Sequence, residues 1–276
     1  MNYLATTLNN LANLEEKLGD TDSARKHYEE ALEIERKLPE TPQYLDSLAT
    51  TLHNLAHLEE NLGDSDSAKK HYEESLEIGR KLPETPQYLD SLAITLNNLA
   101  GLEENLGETD SARMHYEEAV DIFRKLPETP PYLDRLAVSL RNFADFEEDN
   151  NDLTSSKKHF EEALEIHQLL PETPDYLYNL ATTLHNFAYL EEQHLGEMDS
   201  ARKHYQESLE IKRELPETPR YLNELANTLR RLAMLEEKLG NLDSAKIHYQ
   251  ESLNLYIQLG NEERIEELKN RLSECK

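Results

Sequence analysis

Leucines at 45, 48, 52, 55, 58 and 62 step along the chain by 3, 4, 3, 3 and 4, and Ala49 and Ala56 fill the same stripe. That spacing keeps one side of a 3.6-residue turn apolar and predicts an amphipathic helix. Thr41 and Pro42 stand before it as an N-cap and a first-turn proline. Gly63 follows it, and a glycine able to turn left-handed is a helix stop. A second stripe runs through Ala68, Tyr72, Leu76 and Ile78, opening on Asp64, Asp66 and Ser67, which suit a helix N-terminus, and stopping at Pro83. Residues 41–84 are therefore expected to form a helical hairpin, roughly 20 residues followed by roughly 18.

The pattern returns at Thr85, Thr129, Thr173 and Thr218, spaced by 44, 44, 44 and 45 residues. Residues 1–40 carry it without the opening cap, Met1 aligning with Leu45 and Leu4 with Leu48. A period of this size marks units that cannot bury an apolar face alone and must stack. One array is expected across 1–276: a truncated repeat at 1–40, repeats at 41–84, 85–128, 129–172, 173–217 and 218–260, and a capping helix at 261–276. In the last of these only Ile265, Leu268 and Leu272 share a stripe, leaving a polar outer face. Gly19, Gly107, Gly196 and Gly240 repeat the stop. Repeat four has Asn150-Asn151 there and Ser156 in place of an alanine; asparagine tolerates the left-handed turn, so the turn should survive. Repeat five holds one extra residue around Gln193-His194.

Leu52, Asn54, Leu55, Ala56 and Leu58, then Leu62-Gly63, then Ala68, Tyr72, Leu76 and Ile78 form a signature that resembles the tetratricopeptide repeat, in its long, kinesin-light-chain-like form. The resemblance runs through about residue 260 and implies an all-α fold, a right-handed superhelical solenoid of antiparallel helix pairs. It also implies that the first helix of each pair (helix A) lines a concave groove and the second (helix B) covers the outside. Stacked hairpins with a small constant rotation must curve, which is the physical origin of such a groove. Leucine replaces the family's early tryptophan (Leu8, Leu52, Leu96, Leu140, Leu184, Leu229). Glutamate replaces its mid-helix tyrosine (Glu15, Glu59, Glu103, Glu147, Glu191, Glu236). Burying an unpaired carboxylate is costly. These glutamates are therefore expected to face solvent or to pair with the basic residue opening helix B (Arg25, Lys69, Arg113, Lys157, Arg202, Lys246).

Composition narrows the partners. With 29 basic against 56 acidic residues the net charge is −27, which repels phosphate backbones and anionic membranes and favours a basic protein partner. The single cysteine, Cys275, rules out a disulfide framework and suits a reducing compartment. No apolar run approaches a spanning helix and no export signal is visible, so a cytoplasmic location is expected.

The candidate contacts lie on helix A. Asn10, Asn54, Asn98, Asn142 and Asn186 occupy one repeating position, and Arg231 takes it in repeat six. An amide offers donor and acceptor together, the match for an extended peptide backbone. Asparagine ladders in related tetratricopeptide regions imply backbone binding; the competing reading is a solvated amide or one bonded to the next helix. Arg141, Asn186, Asn227, Arg230 and Arg231 form a second, cationic candidate. The resemblance to chaperone-binding relatives would have Arg141, Asn186 and Arg231 fill three of five carboxylate-clamp sites, but Asp145 and Asn227 break the set. The arginines could instead neutralise Glu148, Glu192 and Glu237. Those glutamates, with Glu16, Glu60 and Glu104, make a rim ladder, read as a solvated face or as a lure for basic peptides.

Histidines 27, 71, 115, 159, 204 and 248 recur too far apart to share a metal and are expected to pack against the neighbouring repeat. His53 and His57 have metal-ligand spacing but Asn-Leu-Ala between them, without a zinc-protease glutamate. Tyr28, Tyr72, Tyr116, Phe160, Tyr205 and Tyr249 read as core. With no phosphate loop, nucleophile elbow or triad, no enzyme, cofactor or metal is expected. The reading is a protein-binding scaffold holding a peptide in its groove. The alternative is end-to-end self-association of near-identical repeats.

Overall fold

The computed structural model describes residues 2–274; Met1 and its alignment with Leu45, Lys276 and the lone Cys275 lie outside the described residues. The described residues form helices and no strands. The first two hairpins are α1 (Asn2–Leu18) with α2 (Thr21–Glu35) and α3 (Pro42–Asn61) with α4 (Ser65–Gly79). The next two are α5 (Pro86–Asn105) with α6 (Thr109–Phe123) and α7 (Pro130–Asp149) with α8 (Leu153–His167). Then come α9 (Pro174–Leu190), extended by a π-helical turn at Glu191–Leu195, with α10 (Met198–Glu214), and α11 (Pro219–Lys238) with α12 (Leu242–Leu259). α13 (Glu262–Glu274) closes the series.

The caps are those the residue types dictate. Thr41 is extended and its side chain accepts from the Tyr44 N–H at 3.4 Å, with Pro42 at the first helical position. Asp64 accepts from the Ser67 N–H at 3.3 Å to open α4. Helices A in the middle of the chain have the expected 20 residues, but α2, α4, α6 and α8 have 15 rather than 18. Their last turn tightens: the Lys81 and Leu82 N–H groups bond to carbonyls three residues back, at 3.0 Å each, before Pro83. Gly63 sits at φ +80°, and Asn151, the residue at the same turn in repeat four, adopts φ +61°, so that turn survives. The extra residue of repeat five is absorbed by the π-helical turn, where α9 widens rather than bulging into a loop.

The chain divides into two compact units, one up to Phe143 and one from Ala144 onward. In the first, α1 packs on α2, α2 on α3, α3 on α4, α4 on α5 and α5 on α6, so each helix B lies between its own helix A and the next. Its core joins Ala12, Ala24, Tyr28 and Leu32 to Leu52, Leu55 and Leu58 of the following repeat. In the second, α9 to α12 repeat this order, and Tyr205, Leu209, Leu229 and Leu232 fill the same positions. There Leu268, flanked by Ile265 and Leu272, packs α13 onto Tyr249 and Tyr256. Arg36–Glu74 (2.8 Å), Arg80–Glu118 (2.7 Å) and Arg213–Glu251 (2.7 Å) link successive helices B at the surface. Each such exposed pair contributes under about 1 kcal/mol.

Nothing lies within 4 Å of where a Cβ on Gly63 would stand, so Gly63→Ala tests backbone conformation free of packing. It should cost about 1–2 kcal/mol in urea unfolding, and Gly63→Asn should recover most of that, as Asn151 implies.

Candidate functional site

From Glu59 onward the mid-helix glutamates are buried and paired, so of the two expectations, facing solvent or pairing with the basic residue that opens helix B, the first does not hold. Glu59, Glu103, Glu147, Glu191 and Glu236 are at most 3% exposed. In five repeats the partner is the helix-B histidine. Nδ1 of His27, His71, His115, His159 and His204 lies 2.6, 2.6, 2.7, 2.7 and 2.8 Å from Glu15, Glu59, Glu103, Glu147 and Glu191. A carboxylate only accepts, so Nδ1 carries the proton. These histidines thus brace their own hairpin across its turn. Repeat six departs: Glu236 takes Arg202 Nε at 2.7 Å and Asn241 Nδ2 at 2.6 Å, leaving His248 Nδ1 buried without a partner and its pKa lowered by burial. Among the helix-B openers, Arg202 reaches the next repeat's glutamate, whereas Lys69 and Lys157 pair with Glu108 and Glu197 at the head of the next helix B.

The second glutamate series is not a solvated rim. Tyrosine hydroxyls of helix B donate to Glu16 (3.2 Å), Glu60 (3.1 Å), Glu104 (3.1 Å), Glu192 (3.3 Å) and Glu237 (2.8 Å). Burial, then the adjacent carboxylates, push Tyr28, Tyr72 and Tyr205 up, so the phenols stay protonated donors. The aromatic series is core, as its spacing indicates: Tyr28, Tyr72, Phe160, Tyr205 and Tyr249 are fully buried.

The asparagines tie neighbouring helices A together. Asn10 is exposed, whereas Asn54, Asn98, Asn142 and Asn186 are half-buried. Asn54 Nδ2 donates to Asn9 Oδ1 at 3.1 Å, and Asn98 Nδ2 meets His53 Nε2 at 3.4 Å, each one repeat back. Asn142 Oδ1 accepts from Arg141 at 3.2 Å. In the second unit Asn186 Nδ2 donates to both Asp145 oxygens, at 2.9 and 3.1 Å. His53 also meets Thr95 Oγ1 at 3.0 Å, and burial drives its pKa to about 4. His57 faces Glu16 at 3.2 Å, and no three-ligand metal cluster exists among the described residues.

The cationic candidates are largely engaged. Arg230 is buried, donating to Asn227 at 3.1 Å and lying 3.3 Å from Glu267. Arg231 stacks over the Tyr189 ring at 4.6 Å. The glutamates they were expected to neutralise have other partners: Lys238 holds Glu192 and Arg271 holds Glu237. Arg231, Asn186 and Asn227 do converge with Asp145, Glu148 and Tyr189 around one hollow of the second unit.

Glu148 is the outlier there. Phe160 stands where the other repeats have the tyrosine, so this buried carboxylate receives no phenol. The π-helical turn brings His194 Nε2 to 3.1 Å from its Oε1, off the line of a hydrogen bond. Burial, with Asp145 and Asp149 nearby, pushes the Glu148 pKa up to about 7. The repeat pattern carried the signal, a lone phenylalanine beside an insertion, but only the fold puts the two together.

Between about pH 4.5 and 7 the folded chain therefore holds a proton on Glu148 that the unfolded chain has released. Raising pH through that window should lower stability by about 3 kcal/mol. Glu148→Gln should remove this loss, so urea midpoints of the variant and the parent should diverge between pH 5 and 8, the variant being more stable at pH 8.

The sequence pattern of the tetratricopeptide repeat family matches residues 3–81, 47–125, 135–214 and 179–258. Among curated proteins none matches the chain in sequence. The fold is similar to BtubC (BKLC) from P. vanneervenii, with TM-score 0.73 and 22% identity over 87% of this chain and 92% of that one. It is also similar to the apo form of RapI, with TM-score 0.66 and 13% identity over 98% and 97% of the two chains. Kinesin-light-chain-like, nearly identical TPR-like repeats from Podosopora anserina give TM-score 0.61 and 17% identity over 79% and 99%. At these identities the likeness concerns the fold, and it agrees with the matched pattern and the stacked hairpins. The chain belongs to the tetratricopeptide repeat family.

Proposed function

We propose that the chain is a protein-interaction scaffold whose helix-A surfaces hold an extended segment of a protein partner. Tetratricopeptide repeats are general protein-interaction scaffolds, which supports the coarse reading. The observation behind the finer one is the repeating amide: Asn10, Asn54, Asn98 and Asn142 recur once per repeat in the first unit, and Asn186 and Arg231 follow in the second. An amide has two N–H donors and a carbonyl with two lone pairs, so one lateral bond leaves capacity for a guest backbone. The lateral bonds of Asn54 and Asn98 also limit their rotamers, which lowers the ordering cost of capture. Arg141, Asn227 and Arg230 then serve the ladder indirectly, orienting Asn142 and shaping the surface beside Arg231. The net charge of −27 favours a basic segment, and a cytoplasmic, non-catalytic role suits the composition.

Self-association is the second reading, and one observation favours it. Leu11 and Leu14 of α1 are 38% and 53% exposed, whereas Leu55 and Leu58, at the same positions of α3, are 1% and 0% exposed beneath the preceding repeat. A second copy covering α1 would bury that face.

Asn98→Ala with Asn142→Ala should weaken capture of basic peptides about 10-fold or more, at roughly 1 kcal/mol per lost contact, with circular dichroism unchanged. Unchanged affinity would remove the ladder from the site. Light scattering across a dilution series checks the second reading: self-association predicts a mass that rises with concentration and falls back in Leu14→Glu.

A further inference from the structure

The first unit contains a hollow of about 160 Å³ between α3, α4 and α5. That is of the order of the ~150 Å³ cavity known to admit benzene in another protein. Its floor is Ala49, Ser75, Gly79, Leu92 and Thr95, all buried apart from the glycine backbone's partial exposure, and its mouth is the part-exposed Asp46, Tyr88 and Ile94.

The other repeats explain why it is there. At the position of Gly79 they carry Glu35, Phe123, His167, Lys212 and Tyr256, each at most 4% exposed. Three of these side chains reach a hydroxyl of the next helix A. Ser47 donates to Glu35 at 2.5 Å, His167 Nε2 meets Thr183 Oγ1 at 3.2 Å, and Lys212 Nζ donates to Thr228 Oγ1 at 2.9 Å. Thr95 is the counterpart of Thr183 and Thr228 and lines the hollow. Only repeat two supplies no side chain to this space.

It also lacks a cation. Asp90, one repeat beyond Asp46, is ion-paired with Arg135, but Ser91 occupies the corresponding place for Asp46. Asp46 Oδ1 is buried with no hydrogen bond, and Oδ2 receives only a 3.4 Å bond from Gln87. Burial raises the Asp46 pKa, as expected of a carboxylate without a counter-ion. His53, on the same wall, is held neutral near pH 7 by its burial, so it opposes no incoming positive charge.

We propose that this hollow is a specificity socket for an alkylammonium side chain, a lysine of the bound partner segment. Its methylenes would fill the space that Gly79 leaves against Ala49 and Leu92, and its ammonium would reach Asp46 and Thr95, as Lys212 reaches Thr228 in the second unit. The chemistry selects lysine over the other tolerated shapes because a buried acceptor without a donor gains from an N⁺–H group and loses from a second acid. The socket adjoins the amide series, since His53 on its wall also meets Asn98. The proposal rests on the peptide reading above, which it sharpens by naming a residue the guest must carry.

The test uses the full chain and n-butylammonium chloride, read by methyl NMR. Saturable shifts at Ala49 and Ile94 are expected, with n-butanol binding more weakly. Gly79→Phe, which copies Phe123, should abolish them, and Asp46→Asn should weaken binding at least ~5-fold. No saturable shift, or equal binding by both variants, overturns the socket. A lysine-bearing peptide held equally by the parent and Gly79→Phe also overturns it while leaving the amide ladder standing. Amine bound in the socket with no peptide capture by the parent supports the socket and defeats the ladder.

Discussion

Two adjacent carboxylates near the end of each helix A are the constraint on which these hairpins depend. In repeats one, two, three and five, one is taken by a histidine of helix B and the other by the tyrosine that follows it, so both are drawn from water and both are satisfied. A buried acid of this kind specifies more than it stabilises. Replacing the pair by apolar groups could be neutral, but removing one partner leaves an uncompensated charge. The brace therefore fixes the register of helix B against helix A in a contact surface otherwise made of interchangeable leucine and alanine. Only with that register set does each helix B offer its tyrosine and Leu32 or Leu209 side to the following repeat.

Local preferences were legible from the residues alone. Thr41-Pro42 and Gly63 act through the backbone within one turn, so the hairpin and its period followed from them, and Asn151 turned left-handed as its side chain allows. The carboxylates were not legible, because a glutamate on a glutamate-rich helix is indistinguishable from a solvated one until its partner is known. Yet the partner's offset was in the chain: Glu59 to His71 and Glu103 to His115 are both 12 residues, and Glu191 to His204 is 13 where repeat five is longer. An offset that lengthens with the insertion is the mark of a pair held across the turn. Periodicity puts the asparagines on helix A, where the structure has them, but their lateral bonds to Asn9 and His53 depend on how adjacent hairpins rotate, which no local rule supplies.

Near-identity of the repeats makes each departure a controlled comparison, with the other copies as background. Phe160 removes a hydroxyl from Glu148, and the insertion one repeat later widens α9 enough to bring His194 beside the same carboxylate. An imidazole at 3.1 Å, out of hydrogen-bond line, does not stand in for the phenol, and burial, with Asp145 and Asp149 nearby, makes the carboxyl hold its proton to higher pH. Gly79 is the same kind of event in the first unit: every other repeat carries a side chain there, and its loss opens a hollow beside Asp46, which has Ser91 where Asp90 has Arg135. Here Leu92 already leans to within 3.1 Å of where a Gly79 Cβ would stand, and the space is still open. A repeat that tolerates acid, imidazole, ammonium and aromatic side chains at one buried position has a pocket general enough to be filled from outside when its own chain does not fill it.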